Sequence, residues 1–150
     1  MNELSLLINF IIGKFQKIPL VNTITMVQTR FIDNNKENIY QLVNIDYIQS
    51  VIEDDAVIAR YVITCVQQRD TRPIKTDSKL RMDTNFIDNL NETHATLQRF
   101  INVITRNNNE GNIDIFSQSS LTKLEDWNKA GLDGHQVTIE LSIPNLGSAC

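Results

Sequence analysis

The run Ala56–Gln68 constrains this chain more than any other segment. Val57, Ala59, Tyr61, Ile63 and Cys65 fall on one side of an extended strand, and Ile58, Arg60, Val62, Thr64 and Val66 on the other. A strand with one apolar and one semi-apolar face lies inside a sheet that is covered on one side and partly covered on the other. The segment His135–Ile143 repeats the theme more strictly. Val137, Ile139, Leu141 and Ile143 point one way, Gln136, Thr138, Glu140 and Ser142 the other, and Pro144 stops it. A second β-branched stretch, Ile39–Ser50, precedes the turn Glu53-Asp54-Asp55, so it and Ala56–Gln68 are expected to form an antiparallel hairpin. Val21–Gln28 reads as a further strand, bounded by the polar loop Asp33–Lys36, and Asn112–Phe116 as a short one.

Two segments carry helical spacing instead. Leu4, Leu7, Ile8, Ile11 and Phe15 repeat at three and four residues, predicting a helix from about 3 to 17, with Asn2 as its cap and Pro19 beyond its end. Its second apolar set, Leu6, Phe10 and Ile12, makes it greasier than a surface helix needs, so it packs on two sides or meets another subunit. The second helix spans about 84 to 106, capped by Asp83 or Thr84. Phe86, Leu90, Leu97, Ile101 and Ile104 form its buried stripe, Phe100 widens it, and His94 is placed on the same side. The order α-β-β-β-α-β-β predicts an α+β domain: a mainly antiparallel sheet with the N-terminal helix and one long central helix packed on it.

Length and composition agree with one domain over 1–150. The chain has 150 residues, 41% of them hydrophobic, which suffices for a core and excludes disorder or a fibrous repeat. Its net charge of −4 argues against a protein that grips nucleic acid by its whole surface. The apolar stretch Leu4–Ile12 is well short of the ~20 residues of a membrane span, and Glu3 stands where a signal peptide would be basic. No membrane partner is expected. The two cysteines, Cys65 and Cys150, lack a CxxC partner and read as two thiols in a reducing cytoplasm, with Cys65 buried and inert.

No motif identifies a catalytic activity. The glycines form neither GxGxxG nor GxxxxGK[ST], and GxSxG and HExxH are missing. His94, His135 and Cys65 have no metal-ligand spacing, and Glu53-Asp54-Asp55 lacks the pattern of a calcium loop and reads as a solvated turn. No catalytic residue, cofactor or metal is therefore expected. The polar feature that stands out is a basic arm at about 69–82, where residues 69–81 hold five basic and two acidic side chains around Pro73. Arg69, Arg72, Lys75, Lys79 and Arg81 suit an acidic face or phosphates, and no aromatic residue is interleaved for base stacking. The arm reads either as a solvated strand-to-helix loop or as a segment docking on a neighbouring subunit. Trp127, in the polar connection 117–134, is either an anchor on the core or an interface residue.

The layout also carries a likeness. Its elements are Tyr40-Gln41-Leu42-Val43-Asn44-Ile45, a strand ending near Asp70, a long helix with Asn89-Leu90-Asn91-Glu92-Thr93, the turn Gly131-Leu132-Asp133-Gly134, and the strand Val137–Asn145. In order and phrasing the chain resembles small tail-completion, tail-terminator or neck-ring proteins of tailed bacteriophages, particularly crAss-like phages and others infecting Bacteroidetes. It departs from that pattern at Gln41, where proline is expected, and at Leu132, where an aromatic residue is expected.

The resemblance implies a non-enzymatic virion protein, made in the host cytoplasm and sited in the neck or tail. Such proteins build homo-oligomeric rings, six- or twelve-fold, that join portal, neck and tail components and pass DNA as cargo. Under that reading Phe10, Arg69, Arg72, Lys75, Lys79, Arg81 and Trp127 are the candidate subunit contacts. A small cytoplasmic adaptor module is the alternative. A metal-dependent hydrolase is a further one, and it requires His94 and His135 to converge.

Overall fold

The computed structural model describes residues 2–32, 40–69, 85–106, 112–127 and 131–145, with only the backbone of Phe31. Its elements are α1 (Glu3–Gln16), β1 (Thr23–Thr25), a 3-10 turn (Thr29–Phe31), β2 (Leu42–Ile52), β3 (Ala56–Gln68), α2 (Phe86–Arg106), β4 (Asp114–Gln118), β5 (Thr122–Trp127) and β6 (Leu132–Pro144). The protein is an α+β fold with two helices on a six-stranded, mostly antiparallel sheet in the order β1-β2-β3-β6-β4, β5 also pairing with β6.

β3 and β6 form the spine of the sheet and pair in register from Ala56↔Pro144 to Gln68↔Leu132. The alternation of Ala56–Gln68 is realised as expected: Val57, Ala59, Tyr61, Ile63 and Cys65 are all buried, opposite Ile143, Leu141, Ile139, Val137 and His135. Both helices cover this face. Leu7, Ile11 and Phe15 of α1 and Leu97, Phe100 and Ile104 of α2 complete one continuous apolar core, in which the Phe15 and Phe100 rings stack with centres 4.2 Å apart. Such a pair contributes about 0.5–1.5 kcal/mol beyond the area it buries. The opposite face holds a smaller cluster at one end, Ile32, Leu42, Val66, Leu124 and Leu132. Further along, Arg60 and Glu140 face each other across the strands at 3.2 Å.

α1 starts as its sequence requires: the Asn2 side chain accepts a hydrogen bond from the Ser5 N–H at 2.9 Å. It ends at Gln16, two residues before the position preceding Pro19, with the Lys17 N–H turning back to Lys14 and Phe15 carbonyls. The stretch Val21–Gln28 is strand only at Thr23–Thr25, which pairs parallel to β2. Beyond it the Asn44 side chain takes over the ladder's role. Its oxygen accepts from the Val27 N–H (3.0 Å) and the Thr25 hydroxyl (2.7 Å), and its amide donates to the Val27 carbonyl at 2.9 Å. The Asp46 carboxylate then accepts from the Thr29 N–H and hydroxyl and pins the 3-10 turn. The expected strand is shortened because side chains, rather than a backbone ladder, satisfy these groups.

β2 begins at Leu42 rather than Ile39 and runs on to Ile52. Its irregular pattern arises from a bulge between Tyr47 and Gln49 that leaves Ile48 unpaired. The hairpin to β3 turns at Glu53–Asp55, where the Glu53 N–H donates to the Ala56 carbonyl at 2.8 Å. The C-terminal third departs most from expectation. The connection 117–134 contains a strand, β5, and the short strand before it is displaced to Asp114–Gln118. β4 and β5 both run antiparallel to β6 and lie end to end along it as one interrupted edge. At the break Ser119 keeps the pairing: its N–H donates to the Thr138 carbonyl (2.8 Å) and its hydroxyl accepts from the Thr138 N–H (2.9 Å). β6 itself extends back to Leu132. Gly134 is required there, since a Cβ would come within 1.9 Å of the Cys65 carbonyl oxygen.

α2 runs from Phe86 to Arg106, and the expected caps Asp83 and Thr84 lie outside the described residues. Its buried stripe is Asn89, Thr93, Thr96, Leu97, Phe100 and Ile104, whereas Phe86, Leu90 and Ile101 are half-buried. The N-terminal half of the helix thus buries small polar side chains. His94 is exposed, not in the stripe, because the helix is rotated to bring Asn89 and Thr93 against β6.

Candidate functional site

Arg69 ends β3, and its guanidinium turns inward. Nε donates to Asp133 Oδ2 at 3.0 Å and Nη2 to Oδ1 at 2.6 Å, a two-pronged pair on a fully buried carboxylate. Asp133 is held from other sides by the Asp126 N–H (3.0 Å) and the Asn89 amide (3.4 Å). The Arg69 N–H donates to the Gly131 carbonyl, and its guanidinium carbon sits 5.3 Å from the Phe86 ring centre. The hydrogen bond to Asp133 pushes the guanidinium pKa further up. Arg69 therefore fastens the root of the basic segment to β6 and α2. Arg72, Lys75, Lys79 and Arg81 lie outside the described residues.

Trp127 is half-buried against the small cluster formed by Ile32, Leu42, Val66, Leu124 and Leu132, the anchoring position. Phe10 is half-buried on α1 against the main core, and the Lys14 Nζ lies 5.1 Å from its ring centre. Neither side chain stands free of its own domain.

Leu20, and Ile87 on α2, are exposed, and the rest of the open apolar surface lies at the sheet margins. Met26, Val27, Tyr47, Ile48, Val51 and Ile52 are all exposed along the β2 side, and Phe116 is exposed on β4 at the opposite margin. Between α1 and β2 a groove of about 490 Å³ is lined by Leu4 and Ile8 on one wall and Met26 and Tyr47 on the other, with Tyr61 at its floor. Tyr61 is fully buried, its hydroxyl has no partner among the described residues, and burial, then Tyr47, pushes its pKa up. Sequence reasoning did not single out these margin residues. The signal was present in β2, where Tyr47, Ile48, Val51 and Ile52 place apolar groups on both faces of a strand.

The histidines converge. α2 crosses β6 so that the rings of His94 and His135 meet edge-on, with centres 5.2 Å apart and planes at 80°. Thr93, buried beneath them, has its hydroxyl 3.0 Å from His135 Nδ1 and 2.8 Å from the Asn89 carbonyl. Burial, then the His94 and Lys123 charges, lower the His135 pKa. Among the described residues no group of three histidine, cysteine or acidic side chains is placed to hold a metal ion. Cys65 is buried, and burial raises its thiol pKa, as suits an inert core cysteine.

Compared with known proteins, the chain matches no family model and no curated protein. Among the described residues no helix is long and apolar enough to cross a membrane.

Proposed function

We propose that this chain is a structural subunit of a homo-oligomeric ring in the neck or tail of a phage particle, joining neighbouring components around a DNA channel. One observation carries the physical side of this reading. The molecule exposes an apolar patch on one margin of the sheet, along the β2 side with Ile52 at 74% exposure, and a lone aromatic side chain on the opposite margin, Phe116 of β4 at 61%. A ring requires heterologous contacts, in which one surface of each subunit meets a different surface of the next. An apolar patch and a separate aromatic side chain are two such unlike surfaces; a single self-complementary patch would favour a closed dimer.

The net charge of −4 suits a collar through which DNA slides without being held. Arg69, where the basic segment begins, is fastened to Asp133 at the end of β3. The mechanism is passive: margin contacts and the basic segment join subunits, and the closed ring retains the cargo. Negative-stain imaging of the purified full chain tests this. Annular particles with a central opening are expected, and a uniform field of small compact particles overturns it.

A further inference from the structure

The ring reading makes no use of the histidine pair, whose geometry suggests a separate role. We propose that His94 and His135 form a two-imidazole site for a divalent transition-metal ion of the zinc type, bridging α2 to β6. The inference is independent of the ring reading.

Thr93 suits one tautomer. With its hydroxyl donating to the Asn89 carbonyl at 2.8 Å, or to the Leu90 carbonyl at 3.3 Å, its oxygen can accept from His135 Nδ1, 3.0 Å away. In that tautomer His135 Nδ1 carries the proton and Nε2 the lone pair. This is the outer-shell arrangement that orients a metal-binding imidazole, with a hydroxyl in the place of the usual carbonyl or carboxylate. The second ring is at the right separation. Two imidazoles that share a tetrahedral ion at about 2.0–2.1 Å per nitrogen hold their ring centres about 5 Å apart, and the observed spacing is 5.2 Å.

His94 is exposed, so an ion reaches the pair from solvent. Imidazole ligands select zinc, copper and nickel over magnesium and calcium, which prefer oxygen. Lys123 lies opposite His135 on β5 and opposes a cation there, but its Nζ is drawn to the Glu125 carboxylate 3.5 Å away. Glu92, on the same helix, is engaged with Gln67. Two protein nitrogens with water in the remaining positions make an open site.

Zinc chloride titrated calorimetrically into the full chain, with Cys150→Ser in every sample so that the terminal thiol is not counted, tests the proposal. One zinc per chain is expected, and His94→Ala, an exposed position whose loss leaves the core intact, is expected to weaken binding at least about tenfold. His135→Gln is expected to do the same. Circular dichroism shows that each variant is folded. No uptake by the Cys150→Ser protein, or equal uptake by His94→Ala, overturns the site.

Discussion

Arg69 grips the buried carboxylate of Asp133 with two nitrogens, at 3.0 and 2.6 Å, and so locks the end of β3 to the start of β6 beneath the first turns of α2. Three elements and the root of the basic segment converge on one carboxylate that water does not reach. Such a group tolerates no loss of its partner, since the remaining charge would be buried and unpaired.

Arg69→Met is therefore expected to destabilise the fold by about 3–5 kcal/mol. Urea unfolding checks this, with the midpoint falling and the slope unchanged. Replacing both partners together, Arg69→Met with Asp133→Leu, is expected to recover part of the loss, because the uncompensated charge is then gone.

Tyr61→Phe has the opposite sign. The hydroxyl is buried and has no partner among the described residues, so the native state bears a desolvation cost without a bond in return. The variant is expected to unfold at a urea concentration equal to or above that of the parent, by up to about 1 kcal/mol. A loss of stability greater than that would mean that the hydroxyl is bonded.

Gly134→Ala forces a Cβ to within 1.9 Å of the Cys65 carbonyl oxygen, a backbone atom of the spine near its Leu132 end. β3 and β6 must separate locally to admit it. The expected loss is about 3 kcal/mol, read as a lower thermal midpoint, whereas Gly13→Ala, with open space around its Cβ, is expected to leave the midpoint unchanged or raise it.

His135 makes stability depend on pH. Its folded pKa lies below the ordinary 6.5, so near and below that value the unfolded chain takes up the proton more readily than the folded one. The contribution is fully present above pH 6.5 and is lost as pH falls through the folded pKa. Thermal midpoints measured from neutral to mildly acidic pH are expected to fall, and His135→Gln is expected to flatten the part of that slope due to this residue.

The spine and the helices were legible because burial imposes a period on them. His135–Ile143 alternates strictly, Ala56–Gln68 keeps one apolar face from Val57 to Cys65, and α1 carries its cap in Asn2. β5 was not legible. It is an edge strand in which only Leu124 is buried and Trp127 half-buried, while Thr122, Lys123, Glu125 and Asp126 are exposed as in a loop. Only Thr23–Thr25 of the expected first strand forms, because Asn44 and Asp46, distant in sequence, replace its ladder with side-chain bonds. α2 was misrotated for a related reason. Counting apolar residues selects Leu90 and Ile101, whereas Asn89, Thr93 and Thr96, at helical spacing of their own, face Asp133, His135 and Gln41. The partner network that buries them is invisible along one helix. The meeting of His94 with His135 is tertiary in the same way.

The central claim is that the chain closes into a ring, and the native mass of the purified protein across a concentration series tests it most directly. The account predicts species of six or more subunits that grow with concentration and disappear in an Ile52→Glu variant that remains folded. A dimer or monomer of constant mass at every concentration contradicts it and favours a small adaptor module instead.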